Sequence, residues 1–290
     1  ETPRPNVKTS HRISITPTED AALKEAYERD LYIDDEDTFE DDYSDVAEIF
    51  DKRAAKEVIP GIRPKTVAKP VAETESEYET GAGSIKTGHG INLAEENVAR
   101  RIKISVGKGA RVEFISADLG RGDYSSDVEI DLHGDGSAAD FEAVYFGDGE
   151  RKLDFNYVIR QRGKRTSATM NVRGALSDKC DKIFRGTLDF QRGSKGSTGR
   201  ELEEVIILSS GTRNRSIPLM LAAEDEVDGH HAVSIGRLDE EKIFYLMSRG
   251  LDKSEAERLI VEAAFNPVVD KIPDENLRGE LLNSLQRRLS

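Results

Sequence analysis

Residues 152–172 read KLDFNYVIRQRGKRTSATMNV, and their spacing sets the fold class. Leu153, Phe155, Tyr157 and Ile159 alternate with polar residues, RGKRT forms a turn, and Ala168, Met170 and Val172 alternate again. A period of two marks a strand with one buried face, because successive side chains leave a strand on opposite sides. The same pattern recurs outward in both directions. It is carried by Val112 and Phe114, by Val128, Ile130 and Leu132, and by Phe141, Ala143 and Tyr145. It continues through Phe184, Leu188 and Phe190, through Val205 to Leu208, and through Ile217, Leu219 and Leu221. The turns GDGS, FGDGE, QRGSKG and SSGTR separate these runs. The pattern by itself fits a sandwich, a barrel or a β-helix. Regular spacing, and helical segments at both ends where an open stack needs capping, favour a β-solenoid.

Composition bounds the function. The 290 residues are 37% hydrophobic with no Trp. No apolar run is long enough for a transmembrane helix, and no basic-then-apolar leader opens the chain, so no membrane partner is expected. One cysteine, Cys180, forms no internal disulfide, which is compatible with a cytoplasmic location. Thr18 to Phe50 carry 14 acidic residues against Lys24 and Arg29, so this block holds most of the net charge of −14. That balance argues against nucleic acid as a partner. The block reads as a solvated segment or one that docks on a basic partner face.

The first 16 residues read as a polar arm, followed by short helices at Thr18–Arg29 and Asp45–Ala55. Ile59 to Gly90, with Pro60, Pro64 and Pro70, reads as a linker. Its end, GAGSIKTGHG, lacks the G-x-x-x-x-G-K-[ST] spacing of a phosphate-binding loop, so this chain is expected to bind no nucleotide, and His89 reads as an exposed loop residue. The expected organisation is an acidic N-terminal segment with short helices and linker (1–90), a β-core (91–237) and a C-terminal helical subdomain (238–290).

In that subdomain Asp239 is a candidate N-cap, and Ile243, Phe244, Leu246 and Met247 form a stripe at helical spacing. Gly250 falls where a left-handed residue stops a helix. Asp252 and Glu255 have capping-box spacing, Ala256, Leu259, Ile260 and Ala263 supply a buried face, and Pro267 is expected to end the helix. This hairpin is expected to lie against the end of the β-domain. A last helix, capped by Asp274, presents Leu277, Leu281 and Leu285 on one face, with Arg287 and Arg288 at its carbonyl end.

Three elements could carry chemistry. His230 and His231 are adjacent, so in a strand only one faces a given surface, and imidazole is a suitable iron ligand. Cys180 lies between charged neighbours and reads as an incidental surface thiol, reactive only if Lys179 or Lys182 lowers its pKa. No G-x-S-x-G elbow supports a hydrolase, and no enzyme activity is expected.

The order GRLDEEKIFYLMSRGLDKSEAERLIVEAAF at 236–265, preceded by a histidine, resembles the SufB/SufD family of iron–sulfur cluster assembly subunits. Weaker likeness runs through SSGTRNRSIP (209–218) and FRGTLDFQRGSKG (184–196), covering roughly Arg101 to Pro267. The resemblance implies a right-handed parallel β-helix. It also implies a role for His231, which aligns with a histidine at the family's dimer interface, and for Glu203, which aligns with a cysteine of SufB-type members. It implies a SufC-type ABC ATPase bound by the C-terminal helices, with Phe244, Tyr245, Arg249, Leu259 and Ile260 as contributors. The other implied partner is a SufB-like subunit or a second copy of this chain. Departures are Ala232, where SufB-type members have Glu, and Gly229, where SufD-type members can have Cys. A cluster generally wants four thiolate-like ligands, which one cysteine cannot supply. The chain therefore resembles a SufD-like or minimal SufB/SufD-like scaffold that shares a transient iron–sulfur cluster with its partner. The alternative is a β-solenoid interaction module that binds no metal.

Overall fold

The computed structural model describes residues 10–13 and 72–289. The strands are β1 (Ser10–Ile13), β2 (Ala72–Thr80), β3 (Ile85–Asn92), β4 (Val98–Val106), β5 (Arg111–Asp118), β6 (Tyr124–Leu132) and β7 (Ala138–Gly147). They continue as β8 (Lys152–Gln161), β9 (Ser167–Leu176), β10 (Asp181–Phe190), β11 (Thr198–Ile207), β12 (Arg213–Ala222) and β13 (Asp228–Arg237). Three helices follow: α1 (Glu240–Ser248), α2 (Lys253–Val269) and α3 (Glu275–Arg288).

Odd and even strands form two separate sheets, and from β2 onward each strand pairs in parallel with the strand two places further along. The chain thus winds as a parallel β-solenoid, the architecture the alternation favours. The antiparallel pair is β1 on β13. Registers run without slips: Tyr124 pairs with Leu153, Leu153 with Lys182, and Lys182 with Asn214. Since side chains alternate along every strand, in-register stacking puts the same parity inside on each turn. Val128, Ile130, Phe141, Phe155, Tyr157, Met170, Phe184 and Leu188 accordingly form one sealed core. Its aromatic rings pack in stacked, tilted and edge-on pairs, with Phe141 and Tyr157 edge-on at 4.7 Å between centroids.

The turns stack as closely as the strands. Gly109 N–H donates to the Asp135 carbonyl at 2.9 Å, Gly136 N–H to Lys164 at 2.8 Å, and Arg165 N–H to Lys195 at 3.0 Å. A Cβ on Gly134 would lie 2.1 Å from the Lys108 nitrogen, so only glycine allows adjacent turns to approach this closely.

A second core lies outside the solenoid. Ile115, Ala117, Val144, Phe146 and Ala175 point outward from β5, β7 and β9, where Val261, Phe265, Val268, Val269, Leu281 and Leu285 of α2 and α3 cover them. Arg288 fastens this layer: it pairs with Asp148, donates to the Gly120 carbonyl at 2.7 Å and stacks over Phe146 at 4.7 Å. The helices therefore cover the flank of the odd sheet, not the end of the stack. Apolar residues on both faces of β5 and β7 explain the difference, because a period-two reading registers only one buried face.

The caps form as read. Asp239 and Asp274 accept from first-turn N–H groups, Asp252 and Glu255 form a capping box, and Gly250 has φ +98°. Pro267, however, lies inside α2, where burial of Val268 and Val269 carries the helix onward. Leu259 and Ala263 are exposed, and Ile260 is half-buried. β2 and β3 occupy the second half of the stretch read as linker, and His89 is exposed but on a strand. The expected helices at 18–29 and 45–55 lie outside the described residues. Cys180 is fully buried, and burial pushes its thiol up to about 12, which corrects the surface-thiol reading. The last strand of the even sheet inverts the expected pattern. In the register of β10, Asn214, Ser216, Pro218 and Met220 face inward on β12, while Ile217, Leu219 and Leu221 face outward.

Candidate functional site

The interior changes character at the C-terminal end of the solenoid. Gly199, Glu201, Glu203 and Val205 face inward on β11, and Glu201 is the ladder neighbour of His231 on β13. His230 takes the opposite face, where its Nε2 lies 3.0 Å from Asp228. The structure therefore brings His231 and Glu203 onto one inner surface and leaves His230 outside it. Among the described residues no further parallel turn stacks on β12 and β13; β1 pairs antiparallel along β13, with Ser10 opposite Ala232 and Ile13 opposite Gly229. The inward His231 and Val233 are half-buried where the inward residues of earlier turns are sealed.

Within this end lies a charged group that the analysis of the sequence missed. Lys182 and Glu203 are both fully buried and form an ion pair. Lys182 also donates to Ser216 Oγ at 3.2 Å and lies 5.5 Å and 5.3 Å from the Tyr145 and Phe184 ring centroids. The Tyr145 hydroxyl donates to Glu203 at 3.4 Å. Burial lowers the Lys182 pKa, opposed by Glu203, and burial and then Glu203 hold the Tyr145 hydroxyl well above its usual value. Glu201 is 3% exposed, and its carboxyl fills the space that a side chain on Gly186 would need. Neither of its oxygens has a hydrogen-bond partner. Burial, and secondarily Glu203, pushes its pKa from 4.5 up to about 8. The signal for Lys182 was legible, since it shares the inward row of Phe184, Leu188 and Phe190.

The donor set does not fit a resident metal or cluster. Among the described residues no group of three or more His, Cys, Asp and Glu could hold a metal ion. The one cysteine belongs to the sealed core, not to this end. What the arrangement offers is a polar inner surface at the last turn, where β1 lines β13 and the described residues add no further turn on β12.

The second surface is helical. α1 buries none of its residues, and Phe244, Tyr245 and Met247 are 74%, 56% and 44% exposed. Arg249 stacks over Tyr245 at 5.2 Å. Leu259 of α2 adds to the exposed apolar residues, with Ile260 half-buried. Among the described residues no helix is long and apolar enough to cross a membrane.

A parallel solenoid with helices on its flank and a polar last turn defines the class. The family model for SUF system FeS cluster assembly, SufBD core domain, matches residues 78–264. That is more than half the chain, and the chain belongs to this family. It is 32% identical over 183 residues to the iron–sulfur cluster assembly protein SufD of Bacillus subtilis, across 63% of this chain and 42% of that protein. A SufBD family iron–sulfur cluster assembly protein of Mycobacterium leprae is 26% identical over 193 residues, 64% of this chain and 49% of the relative. Another, from Pyrococcus horikoshii, is 26% identical over 169 residues, 58% and 37% respectively. Each match spans less than half of the relative's own length.

Two outcomes are expected at the buried charges. Lys182→Met leaves Glu203 buried without its cation and should cost about 3–5 kcal/mol in a urea titration, with much of the loss recovered when Glu203→Met is added. The Glu201 pKa is higher in the folded chain, so its contribution to stability is complete below about pH 4.5 and is lost as pH rises to about 8. Glu201→Gln should flatten that part of the stability profile.

Proposed function

We propose that this chain is a non-enzymatic scaffold subunit in SUF iron–sulfur cluster assembly in the cytoplasm. Its solenoid pairs, near the strands around Glu203 and His231, with a SufB-like subunit or a second copy of itself. A SufC-type ABC ATPase docks on α1 and the adjoining part of α2. The cluster is cargo shared across the solenoid end, where His231 and Glu203 are this chain's candidate contributors. ATP-driven movement of the bound ATPases would open or reshape that end.

The observation that carries this reading is α1, a capped helix that among the described residues half-buries Ile243 and Leu246, fully buries none of its side chains, and presents Phe244, Tyr245 and Met247 to solvent. An amphipathic helix of this length gains its stability from a surface to lie on, and aromatic residues flanked by an arginine are frequent anchors in protein interfaces. The family match makes the SUF ATPase the first partner to test. Phe244→Glu, at a position 74% exposed, should leave the fold intact and abolish co-elution with the SufC-type ATPase of the same organism in size-exclusion chromatography. Retained co-elution would remove α1 from the interface.

The second reading, a solenoid interaction module that binds no metal, is favoured by the donor set of the end. Anaerobic titration of the chain with its SufB-like partner against iron(II) and sulfide separates the two. The scaffold reading expects charge-transfer absorbance that falls with His231→Ala. The module reading expects none beyond that of the partner alone.

A further inference from the structure

The turns that join the even sheet to the odd sheet stack into a ridge along one corner. Near the exposed tip of these turns the backbone is left-handed, and the residue there is Gly83, Gly109, Gly136 and Gly196 in four of the turns. In the turn between β8 and β9 it is Arg165, at φ 53°. A side chain in this region crowds the following carbonyl, which disfavours the turn relative to ordinary backbone. Asp178, also at positive φ, has a local reason: its carboxylate accepts from Gly149 N–H at 2.8 Å. Arg165 has no such reason among the described residues, where it is exposed and its side chain makes no hydrogen bond or ion pair.

Its surroundings suggest a use. Arg162, Lys164 and Arg165 project from one turn, and Arg192 and Lys195 from the turn stacked on it, about 4.8 Å away. Arg162 is held by Asp131 and Lys195 by Glu226. Lys164, Arg165 and Arg192 remain exposed and without ion pairs among the described residues. The basic stretch is short. Asp135 lies in the turn before it, accepting from Lys164 N–H at 2.9 Å, and Glu224, Asp225 and Glu226 occupy the turn after it.

We propose that Lys164, Arg165 and Arg192 form a docking ridge for a short acidic peptide segment of a partner protein. Guanidinium groups pair with carboxylates through two parallel hydrogen bonds, which suits Arg165 and Arg192. The acidic turns on both sides limit the contact to a few carboxylates. Together with the chain's net charge of −14, they disfavour a long phosphate backbone. This surface lies at a turn corner, apart from α1 and the inner face of the end, so it stands or falls independently of the proposed function.

The test is fluorescence anisotropy of a labelled hexaglutamate peptide on the full chain at low salt, with a single-stranded RNA oligomer of equal charge in parallel. Arg165→Gly should weaken peptide binding about three- to tenfold. The thermal midpoint should hold or rise, because glycine suits the left-handed position. Arg192→Ser should weaken binding to a similar degree, and the two changes together should abolish it. Peptide affinity unchanged in Arg165→Gly and Arg192→Ser, or RNA bound more tightly than the peptide, would overturn the proposal.

Discussion

The parallel hydrogen-bond ladder between successive turns is the constraint on which the rest of the structure depends. Each strand lies in register on the strand two places before it, so inward positions stack on inward positions from β2 to β13. A one-residue slip would turn a whole row of Phe, Tyr and Ile to solvent, and so the apolar rows and the ladder hold each other in place. The glycine turns follow from the same spacing, since chains this close leave no room for a Cβ at Gly134.

A row that is apolar for several turns can become polar without losing its place. Leu153 and Phe155 sit under Lys182 and Phe184, and these under Asn214 and Ser216. The ladder carries Lys182 inside, and Glu203 from the facing sheet supplies the charge that burial demands. A buried ion pair of this kind is weak support for stability, because desolvation opposes the attraction. Its placement next to the polar last turn is therefore better understood as part of that end than as part of the core.

The flank helices divide the remaining surface. α2 and α3 are spent on covering Ile115, Val144 and Phe146, and Arg288 locks them to the turns around Gly120 and Asp148. α1 follows β13 directly and shares none of that burial. The described residues thus present a sealed flank, a polar last turn and an exposed helix. The helix caps at Asp239, Asp252 and Asp274 were readable residue by residue, because capping is a local interaction. The resting place of the helices was not, because it depends on the outward residues of strands more than a hundred positions away in sequence.

The sequence by itself determined the strand alternation, the turn positions, the helix caps and, through 236–265, the family. These rest on neighbours along the chain, and their period or spacing is written in the order of residues. Tertiary structure alone decided that Cys180 is sealed, that Ile217, Leu219 and Leu221 face outward, and that Lys182 meets Glu203. It also decided that His231, and not His230, shares the inner face with Glu201. Period two assigns residues to one of two faces but does not say which face is inside. Only the pairing of one turn with the next makes that choice, since burial belongs to the stack and not to any single strand.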